Sequence, residues 1–140
     1  MTTKITAAAA NAACIEIVNS INTGGTGTLT IYGGVQPGSP EAATAEQSLA
    51  TISLNNPAFN APSAGIAALN MAQPVEDELA DRDGNAAWFR IRNGAGTAIM
   101  DGAVGQDPPG TAELVLNTTT ITAGGPVRIT SFTFTVPRSE

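Results

Sequence analysis

The first pattern along the chain is helical. Between residues 7 and 22 the apolar positions recur every three or four residues, so they form one stripe on a helix, namely Ala10, Cys14, Ile17, Val18 and Ile21. Thr6 is the expected N-cap because its hydroxyl can accept a free backbone N–H, and Gly24 and Gly25 are expected to end the segment. The stripe needs a cover. It packs either on this chain's own sheet or into a neighbouring subunit.

From residue 28 onward the pattern changes to alternation. Leu29 and Ile31 fall on one face of residues 28–32, and polar residues fall on the other, which predicts a half-buried strand. Six further alternating or extended segments also predict strands, at residues 50–54, 86–92, 97–104, 112–116, 119–122 and 127–136. Residues 65–72 are a weaker candidate. Asn93 to Gly96 predicts a hairpin turn, and residues 35–47 and 74–85 are predicted to be loops.

These elements predict a mainly β protein with one N-terminal α-helix. Short strands at this spacing, with no helical periodicity between the later ones, are typical of an antiparallel β-sandwich of seven or eight strands, and a jelly-roll-like arrangement is a variant of it. A chain of 140 residues is expected to form a single domain. Residues 1–24 are its helix and linker, and residues 25–137 its sandwich.

Charge narrows the possible partners. The net charge is −6, charged residues make up only 13% of the chain, and the six basic residues are scattered, so we expect no nucleic-acid partner. No apolar run approaches the roughly 18 residues that a membrane span needs, so we expect no membrane partner. A surface poor in charge costs little to desolvate and suits contacts with other proteins.

The sequence offers little for catalysis. It contains no histidine, which removes the commonest general base and the commonest metal ligand. Cys14 is the single cysteine and is expected to be a small buried hydrophobe. We therefore expect a protein that is not an enzyme, with no catalytic residues and no cofactor.

One acidic run is the only candidate for binding an ion. Asp77, Asp81 and Asp83 are weak Ca²⁺ candidates, because Ca²⁺ takes oxygen ligands. The spacing does not fit an EF-hand loop, and Arg82 lies among the acids. The favoured alternative is a solvated acidic loop, or one that meets a basic patch on a partner.

Residues 86–92 contain the main candidate for contact. Their alternation puts Trp88, Arg90 and Arg92 on one face, and Trp and Arg are enriched at binding hot spots. Trp88 is then an interface anchor, a platform for a sugar, or a core aromatic if the alternation has the opposite phase. The full set of interface candidates is Ile17, Ile21, Tyr32, Trp88, Arg90 and Arg92.

Several segments together carry a resemblance. The opening helix, residues 24–32 (GGTGTLTIY), 86–91 (AAWFRI), 100–105 (MDGAVG) and 122–137 (TAGGPVRITSFTFTVP) resemble a family of small virion-associated proteins of tailed bacteriophages. The resemblance spans most of the chain. It implies a structural component, such as a head decoration (cement) protein or a minor head or tail protein, and it brings no catalytic residues.

The expected function follows from these points. The chain is expected to be a phage virion protein, assembled in the host cytoplasm, that binds and stabilises the head as a homo-oligomer in contact with the major capsid protein or other virion proteins. A tail, collar or baseplate component is the alternative. A carbohydrate-binding β-sandwich is a further alternative, with Tyr32 and Trp88 as its aromatic platform.

Overall fold

The N-terminal helix forms where the sequence predicts it. The computed structural model describes residues 3–106 and 114–136, and α1 spans Ala7–Ser20. The Thr6 hydroxyl accepts a hydrogen bond from the Ala9 amide at 3.0 Å, which confirms the predicted N-cap. Beyond the helix, Gly24 has a φ of 82°, a left-handed conformation in which a side chain is disfavoured.

The apolar stripe of α1 packs on the chain's own sheet. Ala10, Cys14 and Val18 are buried within α1 and belong to the same core as the strands. The Asn11 side-chain oxygen accepts a hydrogen bond from the Gly65 amide at 3.2 Å, and the Asn22 side-chain oxygen accepts one from the Ala58 amide at 3.0 Å. The alternative in which this stripe docks into a neighbouring subunit is therefore not the one that the structure adopts.

Ten strands lie in the described part of the chain, and they confirm a mainly β fold. They are β1 (Thr28–Tyr32), β2 (Ser48–Ser53), β3 (Ile66–Ala68), β4 (Glu76–Asp77), β5 (Gly84–Asn85), β6 (Trp88–Arg92), β7 (Ala98–Gln106), β8 (Leu114–Leu116), β9 (Thr120–Ile121) and β10 (Val127–Thr135). An eight-stranded sheet runs in the order β2-β1-β6-β7-β8-β10-β3, with β4 also paired to β10. β5 and β9 form a separate pair. The predicted Asn93 to Gly96 turn joins β6 to β7 as an antiparallel hairpin.

The sheet is mixed, so the prediction of an antiparallel sheet is wrong at one junction. β7 and β8 run parallel, pairing Val104 with Leu114 and Gln106 with Leu116. The lack of a helix between these strands favoured an antiparallel turn. The described residues of β8, Leu114–Leu116, are all buried, so this pairing places their side chains in the core. Residues 107–113, including the start of the predicted strand at 112–116, lie outside the described residues.

The sheet curls around its core. Phe89 on β6 and Phe132 on β10 are separated by two strands, so about 14 Å would lie between their backbones in a flat sheet. Their ring centroids are nevertheless 5.1 Å apart in an edge-to-face contact, and Phe132 makes a second such contact with Phe59 at 5.4 Å. Strands that are distant in the sheet order therefore share one hydrophobic core. A sandwich or jelly roll in the strict sense stays a prediction.

Two sequence-based boundaries need correction. The segment 74–85 is not a continuous loop, because Glu76–Asp77 pairs with β10 and Gly84–Asn85 pairs with β9. Hydrogen bonding of the backbone, rather than apolar alternation, forms these two-residue strands. β1 is also buried on both faces rather than half-buried, with Thr30 and Tyr32 only 6% and 5% exposed.

Candidate functional site

A buried ion pair lies on the outer face of the sheet, opposite the core side of β6. The Arg90 Nε donates to Asp101 Oδ1 at 2.7 Å, and a second guanidinium nitrogen donates to Asp101 Oδ2 at 2.9 Å. The two side chains are only 4% and 2% exposed. The hydrogen bond to Asp101 and the charge of that carboxylate raise the pKa of Arg90, although burial alone acts in the opposite direction. Arg90 therefore stays a cation inside the protein.

The remaining donors of Arg90 hold a loop. They bond the carbonyl oxygens of Ala42 at 2.8 Å and Ser39 at 3.3 Å. Both carbonyls belong to the long connection between β1 and β2, which the sequence predicts as a loop. Because a buried guanidinium requires partners for its N–H groups, the same residue that pairs with Asp101 also fastens residues 33–47 over the sheet.

An aromatic stack completes the cover. Tyr32 and Trp88 lie on adjacent strands with ring centroids 4.4 Å apart and planes 15° apart, and the Arg90 guanidinium lies 5.4 Å from the Trp88 ring centroid. The Trp88 indole N–H donates to the Gly33 carbonyl at 3.1 Å. Arg92 donates to the Tyr32 hydroxyl at 3.2 Å. We call the outer side of β1, β6 and β7 beneath residues 33–47 the clamped face.

The clamped face changes how the predicted contact residues are understood. Tyr32, Trp88 and Arg90 are buried there, and Ile21 is buried in the core. Ile17 and Arg92 are partly buried. The alternation around Trp88 has the predicted phase, but residues 33–47 cover the face that it points to. Tyr32 and Trp88 stack on each other rather than presenting an open platform for a sugar.

The acidic residues proposed as Ca²⁺ candidates each bond a different part of the backbone or a serine. Asp77 accepts from the Thr51 and Leu79 amides, and Asp83 accepts from the Ala123 amide at 2.7 Å. Asp81 accepts a long hydrogen bond from a serine hydroxyl. Across residues 3–106 and 114–136, no three histidine, cysteine, aspartate or glutamate residues come together as a metal site.

Cys14 occupies the position that the sequence predicts for it. Its side chain is fully buried in the core, and this burial raises the pKa of the thiol. Because the thiolate is the reactive form, the environment makes this cysteine unreactive at neutral pH.

Among the described residues, no helix is long and apolar enough to cross a membrane.

A cleft that the sequence does not predict lies between β7 and β10. Its volume is about 290 Å³, and its lining residues are Phe89, Met100, Asp101, Phe132, Thr133, Phe134 and Thr135. Among the described residues, β8 pairs with β7 along residues 104–106 and with β10 along residues 129–132. The aromatic lining suits an apolar group, and the carboxylate of Asp101 is already paired with Arg90.

A second surface that the sequence does not predict lies on β3 and β10. Thr135 pairs with Ile66 and Thr133 with Ala68, so these four side chains share the outer face of the sheet, and Ser131 continues the same row. All five are exposed. We call them the open face, because no described segment covers them. The available signal was the stretch from Gln47 to Val75, which contains no charged residue.

Comparison with protein-family models, with curated proteins and with solved structures finds no match to this chain.

Proposed function

We propose that this chain is a non-enzymatic structural protein of a tailed-phage virion, most specifically a decoration or cement protein that stabilises the head through protein–protein contacts. Its partners are the major capsid protein or other virion proteins and further copies of itself. The sequence resemblance to small virion-associated proteins motivates the biological setting. We also propose that the curled sheet forms a β-sandwich-like fold.

The composition of the exposed surface carries the proposal. Outward positions on β2 and on the C-terminal half of β10 are small and uncharged, for example Thr51 and Ser53 on β2 and Thr133 and Thr135 on β10. Desolvating such side chains is much cheaper than desolvating charges, and the centres of protein interfaces are depleted in charge. A surface of this kind supports broad contact with a partner protein.

The roles of the buried polar groups support the same conclusion. The Arg90–Asp101 pair fastens a loop, and Trp88 fills the space beneath that loop. These are the side chains that a catalytic or sugar-binding function would use. In the structure they already have partners within the chain, and their arrangement serves stability.

The energetics of decoration follow from size and repetition. A standard interface buries roughly 1,600 Å² in total. Symmetric placement of several copies on a lattice then adds avidity, because each further contact is effectively intramolecular. A small domain without a reactive site is sufficient for this role.

Quantitative mass spectrometry of purified particles tests the proposal. The particles come from cultures that carry the gene, and the abundance of this chain is compared with that of the major capsid protein. Decoration predicts comparable copy numbers and retention through a density gradient. A low copy number indicates a tail, collar or baseplate component, and absence from the particles contradicts a virion role altogether.

A further inference from the structure

We propose that Asn93 is a site of spontaneous covalent modification in the folded chain. Its side-chain amide is lost through attack by the backbone nitrogen of Gly94, which leaves aspartate or isoaspartate at this position. The two residues open the hairpin turn between β6 and β7. The inference concerns the chemistry of this turn, so it goes beyond the proposed function and does not depend on it.

The reaction needs only water and a backbone amide. The Gly94 nitrogen gives its proton to solvent base and forms a bond to the Asn93 Cγ, and the side-chain nitrogen of Asn93 leaves as ammonia. Water then opens the resulting succinimide ring at either of its two carbonyls. One product is aspartate. The other is isoaspartate, in which the main chain runs through Cβ and Cγ.

The nucleophile of this reaction is accessible in the structure. The Gly94 amide donates to no acceptor among the described residues, although the Asn93 and Ala95 amides on either side of it each have one. Gly94 is exposed, so solvent base can reach its proton. Glycine also lacks the Cβ that would crowd the attacking nitrogen in any other residue.

The electrophile is held and polarised by the turn. The Asn93 Oδ1 accepts hydrogen bonds from the Ala95 and Thr97 amides, both at 3.0 Å. When the Gly94 nitrogen attacks Cγ, negative charge develops on this oxygen. Donors that are already aimed at it stabilise the charge without reorganising. The folded turn therefore supports the attack as well as exposing the nucleophile.

Packing requires glycine at position 94. A Cβ on Gly94 would lie 2.6 Å from the carbonyl carbon of Gly24 and would overlap the Gly25 nitrogen. A Cβ on Gly24 would in turn lie 2.8 Å from the Ala95 nitrogen. The hairpin turn and the turn after α1 therefore pack backbone against backbone, and the contact depends on the residue that also makes Asn93 reactive.

Other positions lack this combination. No other asparagine of the chain is followed by glycine. Asp83-Gly84 and Asp101-Gly102 can form the same ring, but only from the protonated acid, because an ionised carboxylate is a poor electrophile. The Asp101 carboxylate is paired with Arg90 at 2.7 Å. Asn93 is therefore the position at which we expect the ring to form first.

Isoaspartate changes the shape of the turn as well as its charge. It adds one carbon to the main chain between positions 93 and 94, and it removes the side-chain oxygen that two amides of the turn bond. Because Gly94 packs against Gly24 and Gly25 with no room for even a Cβ, the lengthened turn cannot keep this contact. We expect the modified chain to be less stable than the original chain.

Peptide mapping by mass spectrometry tests the inference on the purified full-length chain, incubated in its folded state at mildly alkaline pH. The peptide that contains Asn93 is expected to gain the mass of O in place of NH, and chromatography separates its isoaspartate and aspartate forms. We expect Asn93 to convert at least about 10-fold faster than any other asparagine, which corresponds to a barrier lower by about 1.4 kcal/mol.

The same map of the chain unfolded in urea isolates the contribution of the fold. We expect Asn93 to convert in the folded chain at a rate no lower than in the unfolded chain, because the turn leaves the Gly94 nitrogen free and holds Oδ1 on two donors. A lower rate in the folded chain shows that the fold protects Asn93, and it overturns the inference.

Asn93→Ser is the matched control. The serine hydroxyl can accept a hydrogen bond from the Ala95 amide, but it offers no carbonyl carbon for attack. Thermal unfolding before incubation checks that the variant is folded. We expect its unfolding temperature to stay constant during incubation, whereas that of the unmodified chain falls as isoaspartate accumulates.

Two further results contradict the inference: no conversion at Asn93, or conversion there at the same rate as at the other asparagines. Both are read from the unmodified chain alone, so they hold whether or not the serine variant folds. Neither result bears on the presence of the chain in virions, so failure of this inference and failure of the proposed function are distinguishable.

Discussion

The clamped face and the open face are two outer surfaces of the same curled sheet, and their strands alternate in the same way. On β1, Thr30 and Tyr32 point away from the core, and on β10, Thr133 and Thr135 do so. The first pair is buried and the second is exposed. The difference comes from a loop and one ion pair. Alternation shows which residues leave the core, but not whether another segment then covers them.

Removing the carboxylate of the clamped face is expected to lower the free energy of unfolding by the largest amount. Asp101→Ala leaves Arg90 buried without its partner, and breaking a buried pair in this way costs about 3–5 kcal/mol. Urea unfolding measures the loss. We also expect faster cleavage at Glu41 and Glu46 by a glutamate-specific protease, because the loop loses its anchor.

An exposed ion pair supplies the matched control for this prediction. Glu76 accepts from Arg128 at 3.0 Å, and the Arg128 side chain is 61% exposed. Glu76→Ala is therefore expected to cost less than about 1 kcal/mol. Equal losses from Asp101→Ala and Glu76→Ala contradict the clamp.

A smaller effect on the free energy of unfolding is expected at alkaline pH, and it comes from the Cys14 thiol in the core beneath both faces. Because burial raises the pKa of the Cys14 thiol, the unfolded chain releases this proton near the ordinary value of 9.0 while the folded chain keeps it. The stabilisation is complete below that pH and is lost as the pH rises through the folded pKa, with a slope of at most about 1.4 kcal/mol per pH unit. Urea unfolding between pH 8 and pH 10 measures it.

The control for the thiol is Cys14→Ala. The variant and the unmodified chain are compared by the slope of the free energy of unfolding against pH rather than by its absolute value. The two proteins share every other side chain, so the comparison isolates the thiol. The variant is expected to show a shallower decline. An identical decline in both proteins contradicts a role for the buried thiol.

The smallest effect on stability is expected on the open face. Thr133→Lys changes an exposed side chain that has no described partner in the fold, so the free energy of unfolding is expected to change by no more than about 0.5 kcal/mol. Thermal unfolding of the dilute protein measures it. A large loss shows that Thr133 supports the fold itself, and it removes the contrast with Asp101.

Local signals in the sequence were sufficient for much of the fold. Thr6 begins the helix, the spacing of Ala10, Cys14 and Val18 buries one side of it, and Asn93 to Gly96 turns the chain between β6 and β7. Each depends on residues close together in the chain. The helical stripe also predicted that a cover was needed, although only the structure shows that the cover is the chain's own sheet.

Features that depend on distant residues could not be predicted. The pairing of Arg90 with Asp101 was hidden because nothing in either residue identifies its partner, and residues 33–47 have the composition of an ordinary exposed loop. The parallel pairing of β8 was hidden because alternation shows which face of a strand is buried but not the direction in which the strand pairs. The open face was accessible in principle, through the absence of charge between Gln47 and Val75.

Hydroxyl-radical footprinting tests the contrast between covered and open surfaces most directly, with the oxidation rate of each side chain compared between the folded chain and the chain unfolded in urea. Tyr32 and Trp88 are buried on the clamped face, whereas Ile66 and Leu79 are exposed apolar side chains in the same molecule. We predict that folding slows the oxidation of Tyr32 and Trp88 strongly and that of Ile66 and Leu79 little. Oxidation of Trp88 in the folded chain at the rate of the unfolded chain contradicts the account.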